Sequence, residues 1–156
     1  MHTPNVLIRS VHGALRYLSD HIGGTPDAEY PENYRSYAVI SIQDSAEQYG
    51  FCFTESQYCQ GVLTLCFDDI ESPQDGLLLM TERQAQQIIG FLDAHRDMHD
   101  MLIHCRAGIS RSAAVGRFAR EFYSQLALSL DAYAPNDHVY RLLRETWEFV
   151  QMGGLQ

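Results

Sequence analysis

The sequence contains no lysine, and arginine supplies all 11 of its positive side chains. A Walker-type phosphate loop and a Schiff-base enzyme both depend on a lysine, so both classes are excluded. No run of 18 apolar residues occurs, so no transmembrane helix is expected. The first residues also lack the basic and then apolar pattern of a secretory signal. We therefore expect a cytoplasmic protein.

Positive charge is scarce as well, because 20 acidic residues against 11 basic ones leave a formal net charge of -9. Such a balance disfavours nucleic acid and anionic membranes as partners, although a local basic pocket remains open. The hydrophobic fraction of 46% and charged fraction of 20% are ordinary for a globular protein. A length of 156 residues predicts a single domain over residues 1–156.

Cysteine is present at only four positions, Cys52, Cys59, Cys66 and Cys105, and no C-x-x-C motif occurs. The spacing of seven between the first three fits no zinc-ligand pattern, so no metal site is expected. In a reducing compartment, free thiols are the default state.

Short apolar segments alternate with segments of helical periodicity along the chain. Strands are predicted near residues 6–8, 37–42, 62–67 and 101–104, and helices near 14–22, 81–95, 112–126 and 136–150. This alternation is typical of an α/β fold with a central, mostly parallel sheet of about four or five strands and helices on both faces. Ligands bind such folds beyond the carboxyl ends of the strands, where this chain carries Asp68-Asp69 and residues 105–112.

Residues 104–112 combine a nucleophile with the parts of an oxyanion site. A loop that wraps onto a helix N-terminus points several backbone N–H groups into one concavity, and Gly108 permits the tight path. Arg111 can close the ring, because its planar guanidinium matches two phosphate oxygens. Cys105 lies at the base, where amide dipoles and Arg111 would favour its thiolate. This arrangement suits in-line attack on phosphorus.

The same segment resembles the H-C-x5-R-[ST] signature of the cysteine-based protein tyrosine phosphatases, through His104, Cys105, Gly108, Arg111 and Ser112. Phe67-Asp68-Asp69 is similar to the general-acid loop of the compact dual-specificity and small bacterial members. Ala134-Pro135-Asn136 resembles the helix start of dual-specificity phosphatases. Residues 38–150 thus resemble the catalytic core of a tyrosine phosphatase fold.

This resemblance implies hydrolysis of phosphate monoesters through a cysteinyl-phosphate intermediate on Cys105. It implies an aspartic acid as general acid and base, a Ser112 hydroxyl that helps the thiolate leave, and a His104 that tunes the thiol. The phosphate would be held by residues Arg106, Ala107, Gly108, Ile109, Ser110 and Arg111. No metal or cofactor is implied. The expected partner is a phosphorylated protein, most simply one with phosphotyrosine, with dual specificity left open and a monomer favoured.

Several alternatives stay open from the sequence. Asp69 fits the acid position of the family's Phe-x-Asp arrangement, but Asp68, Glu71 or Asp75 are alternatives. Rhodanese-type sulfurtransferases also use a cysteine in a basic loop, and a phosphate-binding module without activity is a third reading. Cys66 could pack near Cys105, since the strands that precede them are often neighbours in the family. A regulatory disulfide with Cys52, Cys59 or Cys66 is therefore open.

The assignment of Asp69 as the acid predicts the behaviour of Asp69→Asn. We expect turnover of a phosphate ester to fall by about 10²–10⁴-fold, because the leaving oxygen loses its proton donor. Substrate binding should be retained, because the phosphate loop is intact. Steady-state kinetics and equilibrium binding test both points, and an unchanged rate in this variant rejects the assignment.

Overall fold

The computed structural model describes residues 2–22, 36–46, 52–125 and 134–153. Its elements are β1 (Asn5–Arg9), α1 (Val11–Ile22), β2 (Tyr37–Gln43), β3 (Cys59–Cys66), α2 (Glu82–Ala94), β4 (Asp100–His104), α3 (Arg111–Phe122) and α4 (Asp137–Gln151). Every strand and helix anticipated from the sequence is present.

The four strands form one sheet in the order β1-β4-β2-β3, and each neighbouring pair is parallel. β2 and β4 occupy the centre, where their residues are almost continuously buried. Such near-unbroken apolar strands are typical of parallel sheets that are covered on both faces. The predicted α/β architecture with a parallel sheet of about four strands is confirmed.

Helices cover both faces of the sheet, as expected. α1 packs on one face, where Ala14 joins a cluster with Tyr37, Val39 and Leu102. α2, α3 and α4 cover the other face, and their buried side chains share the larger core with alternate residues of the strands. Within the described ranges, no helix combines the length and hydrophobicity needed to cross a bilayer.

The helix ends follow local hydrogen bonding. α2 begins with a capping box between Thr81, its N-cap, and Gln84. α3 ends at Phe122, four residues before the predicted end at about residue 126. Ser124 adopts a left-handed φ of 55°, and the N–H groups of Ser124 and Gln125 bond back to the helix carbonyls. This C-terminal motif stops the helix without the glycine that would have revealed it in the sequence.

The strand order corrects the expected proximity of Cys66 to Cys105. β2 lies between β3 and β4, so the two α-carbons are about two strand spacings, or roughly 10 Å, apart. A disulfide needs less than about 7 Å. Cys59 begins β3, at the opposite end of the sheet from Cys105. All four cysteines are free thiols, so a disulfide would require the backbone to move.

Adding a methyl group should change the free energy of unfolding in opposite directions at two glycines, Gly61 and Gly90. A Cβ on Gly61 of β3 would lie 2.3 Å from Nε2 of His95, whose ring is held by its bond to the Phe91 carbonyl. Gly61→Ala should therefore lower the free energy of unfolding by about 1–3 kcal/mol. A Cβ on Gly90, exposed in α2, meets nothing within 4 Å, so Gly90→Ala should raise it by about 0.5–1 kcal/mol.

Chemical denaturation of the two variants measures both effects. Gly61→Ala/His95→Ala is the control, because removing the imidazole should restore part of the lost stability. Equal stability of the two single variants would contradict the close packing of Gly61 on His95.

Candidate active site

The loop between β4 and α3 is shaped by its contact with the start of α1. Gly108 has a φ of 76°, and a Cβ there would lie 2.5 Å from the backbone carbon of Arg9 and the backbone nitrogen of Ser10. Beside it, the Val11 N–H donates to the Arg106 carbonyl at 3.1 Å. The loop therefore requires glycine at this position for two reasons, its backbone conformation and the close approach of a second chain segment.

Cys105 lies at the floor of this loop, with its residue 2% exposed. The Gly108 N–H donates to Sγ at 3.3 Å, and the Ser112 hydroxyl lies 3.1 Å from the same atom. A thiolate only accepts hydrogen bonds, so an ionised Cys105 would receive both. The sulfur is thus placed where the loop amide and the first turn of α3 stabilise negative charge.

Arg111 is held in place by groups that directly follow β3 and β2. Its Nη1 donates to the Phe67 carbonyl at 2.8 Å and lies 2.6 Å from Oδ1 of Asp44. The residue is 4% exposed, so the guanidinium is desolvated and its plane is fixed. Asp44 also contacts Nη1 of Arg106 at 3.3 Å. One carboxylate thus orients both arginines of the loop.

His104 is fully buried at the end of β4. Its Nδ1 lies 3.3 Å from the Cys105 carbonyl, which can only accept, so Nδ1 carries the proton. Nε2 then accepts from the Ser41 hydroxyl at 2.6 Å. Burial, together with the positive charge of Arg111, lowers the pKa of His104 below its ordinary value. The neutral ring ties the backbone of Cys105 to β2.

The two aspartates after β3 have different surroundings. Asp68 is 8% exposed and accepts hydrogen bonds from the Ser45 N–H and hydroxyl and from the Leu78 N–H. Burial alone would raise the pKa of Asp68, but these bonds outweigh it and lower that pKa. Asp68 therefore organises its loop, whereas Asp69 is exposed toward the cavity.

Asn136 joins the loop that follows β3 to the loop between β4 and α3. Its side-chain amide donates to Oδ1 of Asp69 at 2.9 Å and to the Ile70 carbonyl at 3.0 Å. Its backbone N–H donates to the Ser110 carbonyl, and the Ser110 hydroxyl donates to the same oxygen of Asp69 at 2.7 Å. Both donors act on one oxygen of Asp69, so the carboxyl group is held in one orientation.

These groups surround a cavity of about 510 Å³. That volume is within the range of roughly 300–1000 Å³ usual for small-molecule sites. The lining residues are Asp44, Asp69, Cys105, Arg106, Ala107, Ile109, Ser110, Arg111 and Ala134. Gly108 and Ser112 contact the Cys105 sulfur but are not among these lining residues. Glu71 instead accepts from the Asp137 N–H at the start of α4, and Asp75 lies on the exposed part of the loop.

Two contributors were missed from the sequence. Asp44 directly follows β2, so it lies at the same carboxyl edge of the sheet as the two segments that were noticed. A charged residue at that edge was the feature of the sequence that could have indicated a role for Asp44 in the site. Asn136 was identified only as the N-cap of α4, a role it does have, since its Oδ1 accepts from the Val139 N–H. Its contact with Asp69 depends on tertiary structure and left no local signal.

Comparison with known proteins identifies the fold. No protein-family model and no curated protein matches the sequence. Among solved structures, DUSP15 matches with a TM-score of 0.57 at 16% identity, over 97% of this chain and 89% of that one. The human tyrosine phosphatase-like serine/threonine/tyrosine-interacting protein matches with a TM-score of 0.53 at 22% identity, over 87% and 89%.

Human DUSP28 matches with a TM-score of 0.50 at 18% identity, over 96% of each chain. The fold is that of the compact dual-specificity phosphatases. This confirms the tyrosine phosphatase fold that the signature implied. One of these proteins is named only as phosphatase-like, so chemistry must be argued from the site and not from the fold.

The buried, neutral state of His104 predicts a pH dependence of stability. Its pKa in the folded chain is below the unfolded value of about 6.5. Between these values the unfolded chain binds more protons, so the free energy of unfolding falls as pH drops below about 6.5. His104→Gln should reduce this loss, by at most about 1.4 kcal/mol per pH unit.

Denaturation of both proteins at pH 7.5 and 5.5 measures the difference in slope. This readout does not depend on how much His104→Gln destabilises the chain at neutral pH. Identical losses on acidification would contradict a neutral His104.

Proposed function

We propose that this protein hydrolyses phosphate monoesters, most simply those of protein phosphotyrosine, with Cys105 as the nucleophile. The observation that carries this proposal is the position of the Cys105 sulfur. It accepts from the Gly108 N–H and lies beside the Ser112 hydroxyl, on the floor of a cavity that Arg111 and Asp69 also line.

In the first step, Cys105 Sγ attacks phosphorus and forms an S–P bond as the bond from phosphorus to the ester oxygen breaks. Asp69 gives its proton to that oxygen, so the alcohol leaves neutral. Ser110 and Asn136 both donate to Oδ1 of Asp69, which supports Oδ2 as the oxygen that carries the transferred proton.

In the second step, water attacks phosphorus and gives a proton to the Asp69 carboxylate. The S–P bond breaks, inorganic phosphate forms, and the electron pair returns to Cys105 as a thiolate. The Ser112 hydroxyl, 3.1 Å from Sγ, stabilises that charge by donating to it. The enzyme is thereby restored with no change in oxidation state.

Arg111 and the loop amides would stabilise the equatorial phosphoryl oxygens in both steps. Asp44 and the Phe67 carbonyl hold the Nη1 corner of the guanidinium. The opposite edge, formed by Nε and Nη2, has the geometry of a fork for two phosphate oxygens. Arg106 contributes through its backbone N–H, because its side chain pairs with Asp44 and is 57% exposed.

The charge around the cavity favours a single phosphate group. Asp44 partly neutralises Arg106 and Arg111, the two arginines that line the cavity, and Asp69 adds a second carboxylate. A substrate with several phosphates would meet less positive charge than it carries. This supports protein phosphotyrosine over inositol lipids with several phosphates and over RNA 5′-phosphates.

The decisive experiment is steady-state hydrolysis of a panel that contains phosphotyrosine peptides, phosphoserine peptides, phosphoinositides and an aryl phosphate. We expect the phosphotyrosine peptides and the aryl phosphate to be turned over. Cys105→Ser should lower their kcat by at least about a thousandfold, because serine is a far weaker nucleophile at neutral pH.

A thiosulfate assay on the same preparation serves as the control for sulfur transfer. Thiosulfate turnover without phosphatase activity would reject the proposal and identify the protein as a sulfurtransferase. Phosphate binding without any turnover would leave only a binding module. Full activity of Cys105→Ser would reject the nucleophile.

A further inference from the structure

Exposed apolar side chains are concentrated in the two loops that build the site. Six large hydrophobic residues are exposed in the described part of the chain, and three of them are Leu77, Leu78 and Ile109, at 39%, 51% and 49% exposure. Ile109 lines the cavity itself. Exposed apolar side chains that adjoin a site are more often contact surfaces than accidents of composition.

Asp68 ties the backbone of Leu78 to segments that line the cavity. The Asp68 N–H donates to the Leu78 carbonyl at 2.8 Å, and the Leu78 N–H donates back to Oδ2 of Asp68 at 2.8 Å. Asp68 also bonds to Ser45, and the residues next to these two, Asp69 and Asp44, both line the cavity. Leu78 is therefore one hydrogen bond away from the segments that form two sides of the site.

The loop presents these leucines in a fixed position. Leu77 donates to the Gln74 carbonyl at 3.2 Å, and Gly76 makes the turn between them with a φ of 79°. A segment whose backbone is already ordered loses little conformational entropy when a partner covers it. The two leucines are thus suited to binding a partner, because the hydrogen bonds that order their backbone leave their side chains exposed.

The charge of the loop limits what can cover the leucines. Glu71 and Asp75 are exposed in the same loop, and the whole chain carries a net charge of -9. An anionic membrane surface would be repelled. A polypeptide substrate, in contrast, must pass over the cavity rim, and an extended chain places its next two side chains within about 7 Å of the anchored residue.

We propose that Leu77 and Leu78, together with Ile109, contact an apolar side chain that lies beside the phosphorylated residue of a protein substrate. This inference rests on the proposed phosphatase activity and gives it a sequence preference. The site would favour phosphopeptides with leucine or a similar residue next to the phosphotyrosine over peptides with serine there.

The test compares wild type with Leu78→Ser on three substrates: an aryl phosphate and two phosphotyrosine peptides with leucine or serine at the neighbouring positions. We expect Leu78→Ser to lower kcat/KM for the leucine peptide by about 5–10-fold through KM, as one lost apolar contact implies. Leu78 does not line the cavity in which the aryl phosphate would react, so turnover of that substrate should change less than twofold.

Met152→Ser is the matched control, because Met152 is 84% exposed at the far end of α4. It lies about 24 Å along the helix axis from Asn136. Its kinetics should equal those of wild type on all three substrates. Phosphopeptide affinities by fluorescence anisotropy provide a readout that does not need turnover.

Equal losses on the peptide and the aryl phosphate would overturn the inference, since Leu78 would then act through the catalytic loop. So would unchanged kinetics on all three substrates. If wild type binds the leucine peptide more tightly than the serine peptide but hydrolyses neither, the proposed function is rejected and the proposed contact surface is supported. No turnover and no binding in wild type would overturn both.

Discussion

The close approach of Gly108 to the backbone of Arg9 and Ser10 is the constraint on which the rest of the site depends. It fixes the curve of the loop between β4 and α3 from outside, while on the inner side the Gly108 N–H donates to the Cys105 sulfur. A second support comes from the 134–136 segment, whose N–H groups bond to the carbonyls of Ile109 and Ser110. With its carbonyls engaged outward, the loop is preorganised for an oxyanion, which is the source of most electrostatic stabilisation in acyl- and phosphoryl-transfer sites.

The neighbouring residues Asp68 and Asp69 suit different tasks. Asp68 holds its loop in place, and Asp69 is the proposed general acid. Asp68 is satisfied by hydrogen bonds from Ser45 and Leu78, and it must stay ionised to keep them. A general acid must instead carry a proton and face the leaving group. Ser110 and Asn136 both donate to Oδ1 of Asp69, so under the proposed mechanism the proton would be carried on Oδ2. The same anchor at Asp68 also fixes the backbone of Leu78, so the proposed general acid and the proposed substrate contact depend on one loop geometry.

The sequence was enough for the α/β fold, the parallel sheet and the residues gathered around Cys105, because these depend on periodicity and on a local motif. Asp44 was missed, since its importance comes from β2 lying beside β4, and strand order is not encoded in any one segment. The same order separates Cys66 from Cys105, contrary to the expected proximity. The early end of α3 came from a serine in a left-handed conformation, where sequence patterns anticipate glycine.

The position of β1 has a consequence for biosynthesis. β1 is an edge strand whose partner residues lie 95 positions later in the chain, and the turn that follows it forms the outer wall of the phosphate loop. At translation rates of roughly 5–20 residues per second, this segment waits about 5–20 seconds for its partner to be made. The wall is therefore synthesised long before its partner strand, and a nascent chain cannot support the loop around Gly108 in this way until β1 and β4 have paired.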